Sequence, residues 1–133
     1  MASVLVIEAS GSAATIGEAI GRALRSILPE AVLRHRHYLG TQGIAWERAL
    51  DIARRCRADL EEALPRTAEE LHAIAQAAEI DVDSLVSLNA LQETLFLARR
   101  LPIEEGCTSL ALPAAITADG SILLAHNEDA LPS

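Results

Sequence analysis

Three prolines, Pro29, Pro65 and Pro102, limit where regular helices can run in this chain. A proline inside a helix removes a backbone hydrogen bond and clashes with the preceding turn, so a helix ends or kinks at each of them. Before Pro102, apolar residues recur every three or four positions, the spacing of helices that bury one face. The sequence predicts four helices, over 15–28, 44–64, 67–78 and 81 to about 100.

Short apolar runs at the two ends of the sequence have a different pattern. Ser3–Ala9 (SVLVIEA) is apolar and β-branched, which predicts a first strand. CTSLALPAAI (107–116) and SILLAHN (121–127) predict two more strands, and Asp119-Gly120 between them is a hairpin turn signal. We therefore predict an α+β fold with one strand, four helices and a terminal hairpin.

Local signals refine the helices. Gly17 and Gly21 lie four residues apart inside the first one, where each costs up to ~1 kcal/mol relative to alanine, so a close backbone approach is expected there. Thr67 and Glu70 have the spacing of a capping box, and Asp81 is predicted to cap the fourth helix.

Composition excludes several classes of function. The 133 residues are 50% hydrophobic and carry a net charge of −8, which argues against binding to nucleic acid or an anionic membrane. Only Tyr38, Trp46 and Phe96 are aromatic, and the chain has no lysine for a Schiff base or a phosphate loop. The start of the chain lacks a basic signal-peptide region, so we expect a cytoplasmic protein with reduced thiols.

The two cysteines occupy different contexts. Cys56 lies on the apolar stripe of the second helix and is predicted to be buried and inert. Cys107 instead begins a strand directly after Gly106, whose missing Cβ permits a strained bond that the thiol can attack. An N-to-S acyl shift and hydrolysis would then free the Cys107 α-amine, whose pKa near ~8 suits a general base for its own thiol.

These residues resemble the isopenicillin N acyltransferase family of N-terminal-nucleophile hydrolases. The family is cleaved at a Gly-Cys-Thr motif and has Asn-x-Asp at the end of the next strand. The corresponding residues here are Gly106, Cys107, Thr108, Asn127 and Asp129.

The helical part of the sequence is similar to the family as well. SGSAATIGEAIG resembles the family's opening Gly-rich helix, with Gly17 and Gly21 on matching positions. Val86–Phe96, including Asn89 and Glu93, resembles the last helix before the cleavage site. Only the N-terminal part of the family's precursor is covered, and the family's oxyanion-hole asparagine falls outside it.

The resemblance implies the strand, helices and first hairpin of an αββα sandwich, apparently incomplete. Residues 1–106 would be a mostly helical α-subunit-like region, and 107–133 a truncated β-subunit-like hairpin. Cys107 would be the nucleophile, with Asn127 and Asp129 as further catalytic residues. The implied activity is hydrolysis or acyl transfer at non-peptide C–N amide bonds, with a small-molecule amide or an acyl-CoA as substrate. The resemblance implies no cofactor and no metal. It also implies that the chain is inactive until a second half completes it.

Other interpretations stay open at this stage. The chain could be a non-catalytic helical interaction module derived from the same family, or a free-standing thiol enzyme that uses Cys107 and His126. Self-association or a complementing chain is expected, because a lone hairpin exposes unpaired strand edges.

The remaining polar clusters favour structural roles. Strand alternation puts His126 and Asn127 on opposite faces, and we interpret His126 as structural. His35–His37 (HRH) is interpreted as a solvated loop, because metal sites need three or four ligands. The acid pairs Glu61-Glu62 and Glu69-Glu70 are interpreted as helix surface and cap.

Overall fold

The computed structural model describes residues 5–99 and 107–128, and all structural statements below concern these residues. They form six α-helices and one two-stranded antiparallel sheet, which confirms the α+β class. The helices are α1 (Ala13–Leu24), α2 (Leu28–Thr41), α3 (Trp46–Ala63), α4 (Pro65–Ala78), α5 (Val82–Asn89) and α6 (Leu91–Arg99). The strands are β1 (Cys107–Leu112) and β2 (Leu123–Glu128). The chain divides into two compact units, a helical unit, Met1–Arg100, and a hairpin unit, Leu101–Ser133.

Helix α1 packs against α4 through its glycines. A Cβ at Gly17 would overlap the Glu70 carbonyl oxygen and lie 2.8 Å from the Ala73 Cβ. A Cβ at Gly21 would meet the Ile74 carbonyl oxygen in the same way. The close backbone approach predicted from the glycine spacing is therefore confirmed.

The core of the helical unit contains two clusters of buried apolar side chains. The first joins α2, α4 and α5, and its members are Leu28, Ile74, Ala75, Ala78 and Leu85. The second lies where α2 meets α3, and its members are Leu39, Ile44 and Ala49. The first cluster joins helices distant in sequence and the second joins two consecutive helices, and the burial of both holds the helices together.

The N-terminal segment differs from the prediction. Residues 5–9 form neither helix nor strand, and Leu5 and Val6 are exposed. The strand prediction is wrong over this segment, because a strand needs a neighbour for its backbone groups and no described residue pairs with them.

Helix α3 ends at Ala63, two residues before Pro65, as the sequence predicts, but Pro29 and Pro65 also begin the helices that follow them. Pro29 lies in the first turn of α2 and Pro65 is the first residue of α4. The first turn tolerates proline because its N–H groups have no partner within the helix. Helix α2 was missed for this reason. The capping box at Thr67 is also wrong, because α4 begins at Pro65 and has no side-chain cap.

The predicted fourth helix is two helices. Asp81 caps α5 as predicted, and its Oδ2 accepts a hydrogen bond from the Ser84 N–H at 2.9 Å. The helix stops at Asn89, and α6 starts at Leu91 after the non-helical residue Ala90. None of the helices in the described part of the chain has the length and apolar character needed to cross a bilayer.

The hairpin has the two predicted strands. Strand β1 pairs with β2 from Cys107 opposite Glu128 to Leu112 opposite Leu123. Asp119-Gly120 lies in the connection, where Gly120 has a positive φ of 71°. The strand predicted over 107–116 is too long, because β1 ends at Leu112, before Pro113, which has no N–H for a strand ladder, and Ala114–Ile116 form a short 3-10 turn.

Candidate functional site

Cys107 is the first residue of β1, and its side chain is exposed. Thr108, the next residue, is exposed on the same strand. Two other predicted site residues, Gly106 and Asp129, lie outside the described residues. The described part of the candidate site is therefore the open end of the hairpin, where β1 begins and β2 ends.

The register of the hairpin divides the candidate residues between two faces. Thr108 is directly opposite Asn127, so these two predicted residues form a cross-strand pair. Cys107 pairs with Glu128 in the neighbouring position and therefore belongs to the other face. The hairpin therefore brings Cys107, Thr108 and Asn127 together at one end, but the Cys107 side chain lies on one face and the other two side chains lie on the opposite face.

His126 contacts a residue that sequence reasoning missed. Its Nδ1 lies 2.8 Å from the Ser109 Oγ on the opposite strand. Ser109 and His126 are a cross-strand pair on the same face as Cys107, because Cys107 and Ser109 are two residues apart on β1. A two-residue turn at Asp119-Gly120 would instead have put His126 opposite Pro113, so the pair depends on the longer connection between Leu112 and Leu123, which the sequence did not predict.

This contact bears on the interpretation of the chain as a free-standing thiol enzyme. A thiol–imidazole dyad needs the imidazole nitrogen within hydrogen-bond reach of the sulfur. The described hydrogen bond of His126 goes to Ser109 instead. His126 thus joins the two strands, in agreement with its predicted structural role.

The histidine cluster of the helical unit does not form a solvated loop. His35 lies in α2 and is buried, with 8% of its surface exposed. Its Nε2 lies 2.9 Å from the Ser87 Oγ of α5, and its ring meets Trp46 edge-on at a centroid distance of 6.0 Å. Burial lowers the pKa of His35, so the neutral imidazole is favoured. The loop prediction is wrong because α2 was missed.

His37 occupies the outer side of the same helix and is exposed. It therefore cannot share a metal ion with His35, although the two are neighbours in sequence. Within residues 5–99 and 107–128, no three His, Cys, Asp or Glu side chains are grouped to hold a metal ion.

The Cys56 thiol is half-buried in α3. Burial raises its pKa, and the carboxylates of Glu93 and Asp59 raise it further. A raised pKa leaves less of the nucleophilic thiolate at neutral pH. Cys56 therefore has the character of a packing residue, whereas Cys107 is open to solvent.

An ion-pair network joins α3, α4 and α5. The Arg57 Nε lies 2.7 Å from Asp83, and its Nη1 lies 2.7 Å from Glu61. His72 Nε2 lies 3.0 Å from the same Glu61 carboxylate. Hydrogen bonds from His72 and then from Arg57 lower the pKa of Glu61. Every carboxylate of this network has a basic partner, so the network links helices and is not an acid/base pair.

No protein-family model matches the chain, and no curated protein sequence matches it.

Proposed function

We propose that Gly106-Cys107 is the self-processing bond of a cysteine N-terminal-nucleophile amidohydrolase or acyltransferase. The chain then supplies the α-subunit-like region and the first hairpin of an αββα sandwich. The observation that supports this most is the position of Cys107, exposed at the first residue of an antiparallel strand. Exposure leaves the Cys107 thiol accessible as a nucleophile.

The partner strand provides a second line of support. Asn127 is one residue from the end of β2 and lies directly opposite Thr108, next to Cys107. Alternation puts the Asn127 side chain on the face opposite to the Cys107 thiol, so the role that we propose for its amide is to hold the main-chain α-amine that cleavage frees. This agrees with the catalytic role that the resemblance implies for Asn127.

The processing reaction needs no external reagent except water. The Cys107 sulfur attacks the Gly106 carbonyl carbon, the C–N bond breaks, and the nitrogen takes a proton to become the free α-amine. Water then hydrolyses the thioester, which releases the Gly106 carboxylate and regenerates the thiol. The α-amine of Cys107 afterwards acts as base for its own thiol.

In turnover, the same sulfur would take the acyl group of a small-molecule amide or an acyl-CoA thioester. The amine or thiol leaves with a proton, and water or a second amine accepts the acyl group. The amide and thioester alternatives share the Cys107 thioester intermediate. We propose a cytoplasmic location, where both thiols stay reduced.

The hairpin by itself lacks the surroundings that this chemistry requires. The tetrahedral oxyanion needs preorganised hydrogen-bond donors, each worth ~3–4 kcal/mol in other enzymes. Intramolecular attack is fast only when the nucleophile is held in place. Since Cys107 and Thr108 are exposed, we expect the isolated chain to stay uncleaved and to hydrolyse no amide.

Intact-mass spectrometry tests the proposal. Cleavage after Gly106 divides the 133 residues into pieces of 106 and 27. We expect the intact mass for the isolated chain and both pieces after co-expression with a polypeptide that carries the family's second half. Cys107→Ala should stay intact in both settings. Cleavage at another bond, or cleavage that survives Cys107→Ala, would contradict the proposal.

A second candidate is a non-catalytic helical interaction module. The observation that favours it is the separate core of the helical unit, together with exposed Phe96 and Leu97 on α6. In that case the complemented chain stays uncleaved, and residues 1–100 alone fold and bind whatever the whole chain binds. The mass measurement on the complemented chain therefore separates the two candidates.

A further inference from the structure

The first step of the proposed processing reaction needs a base that the Cys107 α-amine cannot supply. Before cleavage this nitrogen is part of the Gly106-Cys107 peptide bond, so it has no basic lone pair. A thiol at neutral pH is only a few per cent thiolate, and the thiolate is the nucleophile. The proton of the Cys107 thiol therefore has to go to another residue.

The face of the hairpin that contains Cys107 has two other ionisable residues. By the register, Ser109 and Ala111 of β1 share this face with residues 124, 126 and 128 of β2. Of these, His126 and Glu128 are ionisable. An imidazole is a much stronger base than a carboxylate, and its basicity suits proton transfer from a thiol near neutral pH. His126 is therefore the better base for the thiol.

His126 is a diagonal neighbour of Cys107 across the two strands. Cys107 pairs with residue 128, which is two positions beyond His126 on β2. Diagonal neighbours on one face have Cβ atoms roughly 7 Å apart, a separation that an aromatic ring can span. Both side chains are exposed, so rotation of the thiol towards the ring meets no packed neighbour.

Ser109 determines which ring nitrogen of His126 is available. Its Oγ lies 2.8 Å from the His126 Nδ1. When the Nδ1–H donates to this oxygen, the lone pair of the neutral ring is on Nε2. No described residue makes a hydrogen bond to Nε2. His126 can thus join the two strands through Nδ1 and still accept a proton at Nε2.

On the basis of the processing reaction proposed above, we propose that His126 Nε2 accepts the proton of the Cys107 thiol, with Ser109 as the positioning residue for the ring. The sulfur then attacks the Gly106 carbonyl carbon. As the C–N bond breaks, the imidazolium gives the same proton to the departing Cys107 nitrogen. One proton moves from sulfur to nitrogen, and no further reagent is consumed. After cleavage the α-amine is the base, so the imidazole serves the processing step alone.

The pH dependence of alkylation tests the inference on the whole chain and requires no cleavage. In a Cys56→Ala background, iodoacetamide reads Cys107 alone. Loss of the imidazole lowers the thiolate fraction at pH 7 but not at pH 10, where a thiol ionises without help. We expect His126→Gln to slow the reaction at least about threefold at pH 7 and to leave the rate at pH 10 unchanged. A purely structural role would change both rates or neither.

Substitutions at Ser109 test its positioning role. Ser109→Ala removes the partner of Nδ1 and should slow the reaction at pH 7, whereas Ser109→Thr keeps a hydroxyl and should retain the wild-type rate. His37→Gln removes an exposed imidazole from α2 and is the matched control, with both rates unchanged. Ring ¹⁵N NMR at pH 8 should find the His126 proton on Nδ1, and a proton on Nε2 would overturn the inference.

The alkylation result is separable from that of the intact-mass experiment. Equal rates for His126→Gln and the wild type at pH 7 would overturn the inference, whether or not the complemented chain is cleaved. Cleavage of a complemented His126→Gln chain at the wild-type rate would overturn it as well. A complemented wild-type chain that stays intact, with the difference at pH 7 present, would contradict the proposed function but support the thiol–imidazole pair.

Discussion

The helical unit and the hairpin contain the same kinds of apolar residue, but they differ in how much of each side chain is buried. Leu39 and Ile52 are almost completely buried among the helices. In the hairpin, Leu110, Leu123 and Leu124 are more than half exposed. A helix satisfies its own backbone and needs only one covered face, whereas two strands need a further layer or further strands to be stable. The comparison teaches that the helical unit buries its apolar side chains in its own contacts, whereas the described hairpin leaves them largely exposed.

Truncation of one apolar side chain in each unit should show the largest difference between them, measured as the loss in free energy of unfolding. Ile52→Ala removes a side chain that is 1% exposed and should lower the free energy of unfolding by about 2–5 kcal/mol. Leu124→Ala removes one that is 78% exposed and should change it by less than about 0.5 kcal/mol. Urea unfolding followed by circular dichroism measures both. Equal losses would mean that the hairpin belongs to the same core.

Glycine substitutions sharpen the comparison within the helical unit. Gly21→Ala forces a Cβ against the Ile74 carbonyl of α4 and should cost about 1–3 kcal/mol of stability. Gly40→Ala is the matched control on an exposed helix face and should stabilise the helix by up to about 1 kcal/mol. Both are measured by thermal and urea unfolding. A neutral Gly21→Ala would contradict the close approach of α1 and α4.

The buried histidine gives the helical unit a pH dependence. Burial lowers the pKa of His35 in the folded state, so the unfolded chain binds the proton more readily. Stability is then highest above the unfolded pKa of about 6.5 and falls as the pH drops through it towards the folded pKa. We expect His35→Gln to flatten this acid-side slope in urea unfolding from pH 8 to pH 5.

His37→Gln is the matched control for that experiment. His37 lies on the same helix but is exposed, so its replacement should change the free energy of unfolding at pH 8 by less than about 0.5 kcal/mol. An unchanged slope in His35→Gln would show that another group produces the acid sensitivity.

Thiol labelling should show the smallest difference between the two units. Cys107 in the hairpin is exposed, whereas Cys56 is half-buried and its pKa is raised. A maleimide or iodoacetamide should therefore modify Cys107 at least about threefold faster at pH 7.5. Peptide mass mapping of briefly labelled native protein measures the ratio. Preferential modification of Cys56 would reverse the roles that we assign to the two thiols.

Some features could be predicted because their causes are local. Asp81 was identified as a cap because a carboxylate before an apolar helical run accepts backbone N–H bonds. The hairpin followed from strand alternation and the Asp119-Gly120 turn signal. The small-residue spacing of Gly17 and Gly21 indicated a close neighbour, although not which helix it was.

Other predictions failed where the same local signal is compatible with two different structures. A proline ends one helix or begins the next, and Pro29 and Pro65 begin helices here. The HRH segment is polar, yet His35 is buried because α2 brings it to Ser87 on α5. The break at Ala90 follows Asn89, whose side-chain Nδ2 donates to the Leu85 carbonyl oxygen at 2.9 Å, a bond that the apolar spacing did not indicate.

The candidate site was likewise predictable only in part. The sequence by itself determined the residue types: a glycine before Cys107, a threonine after it, and an asparagine near the end of the next strand. It also determined the helical and strand periods, since these depend on neighbours along the chain. Only the tertiary structure decided that α1 rests on α4, that His35 is buried, and that His126 pairs with Ser109. The reason is physical: these contacts join residues far apart in sequence, so they depend on which elements pack together.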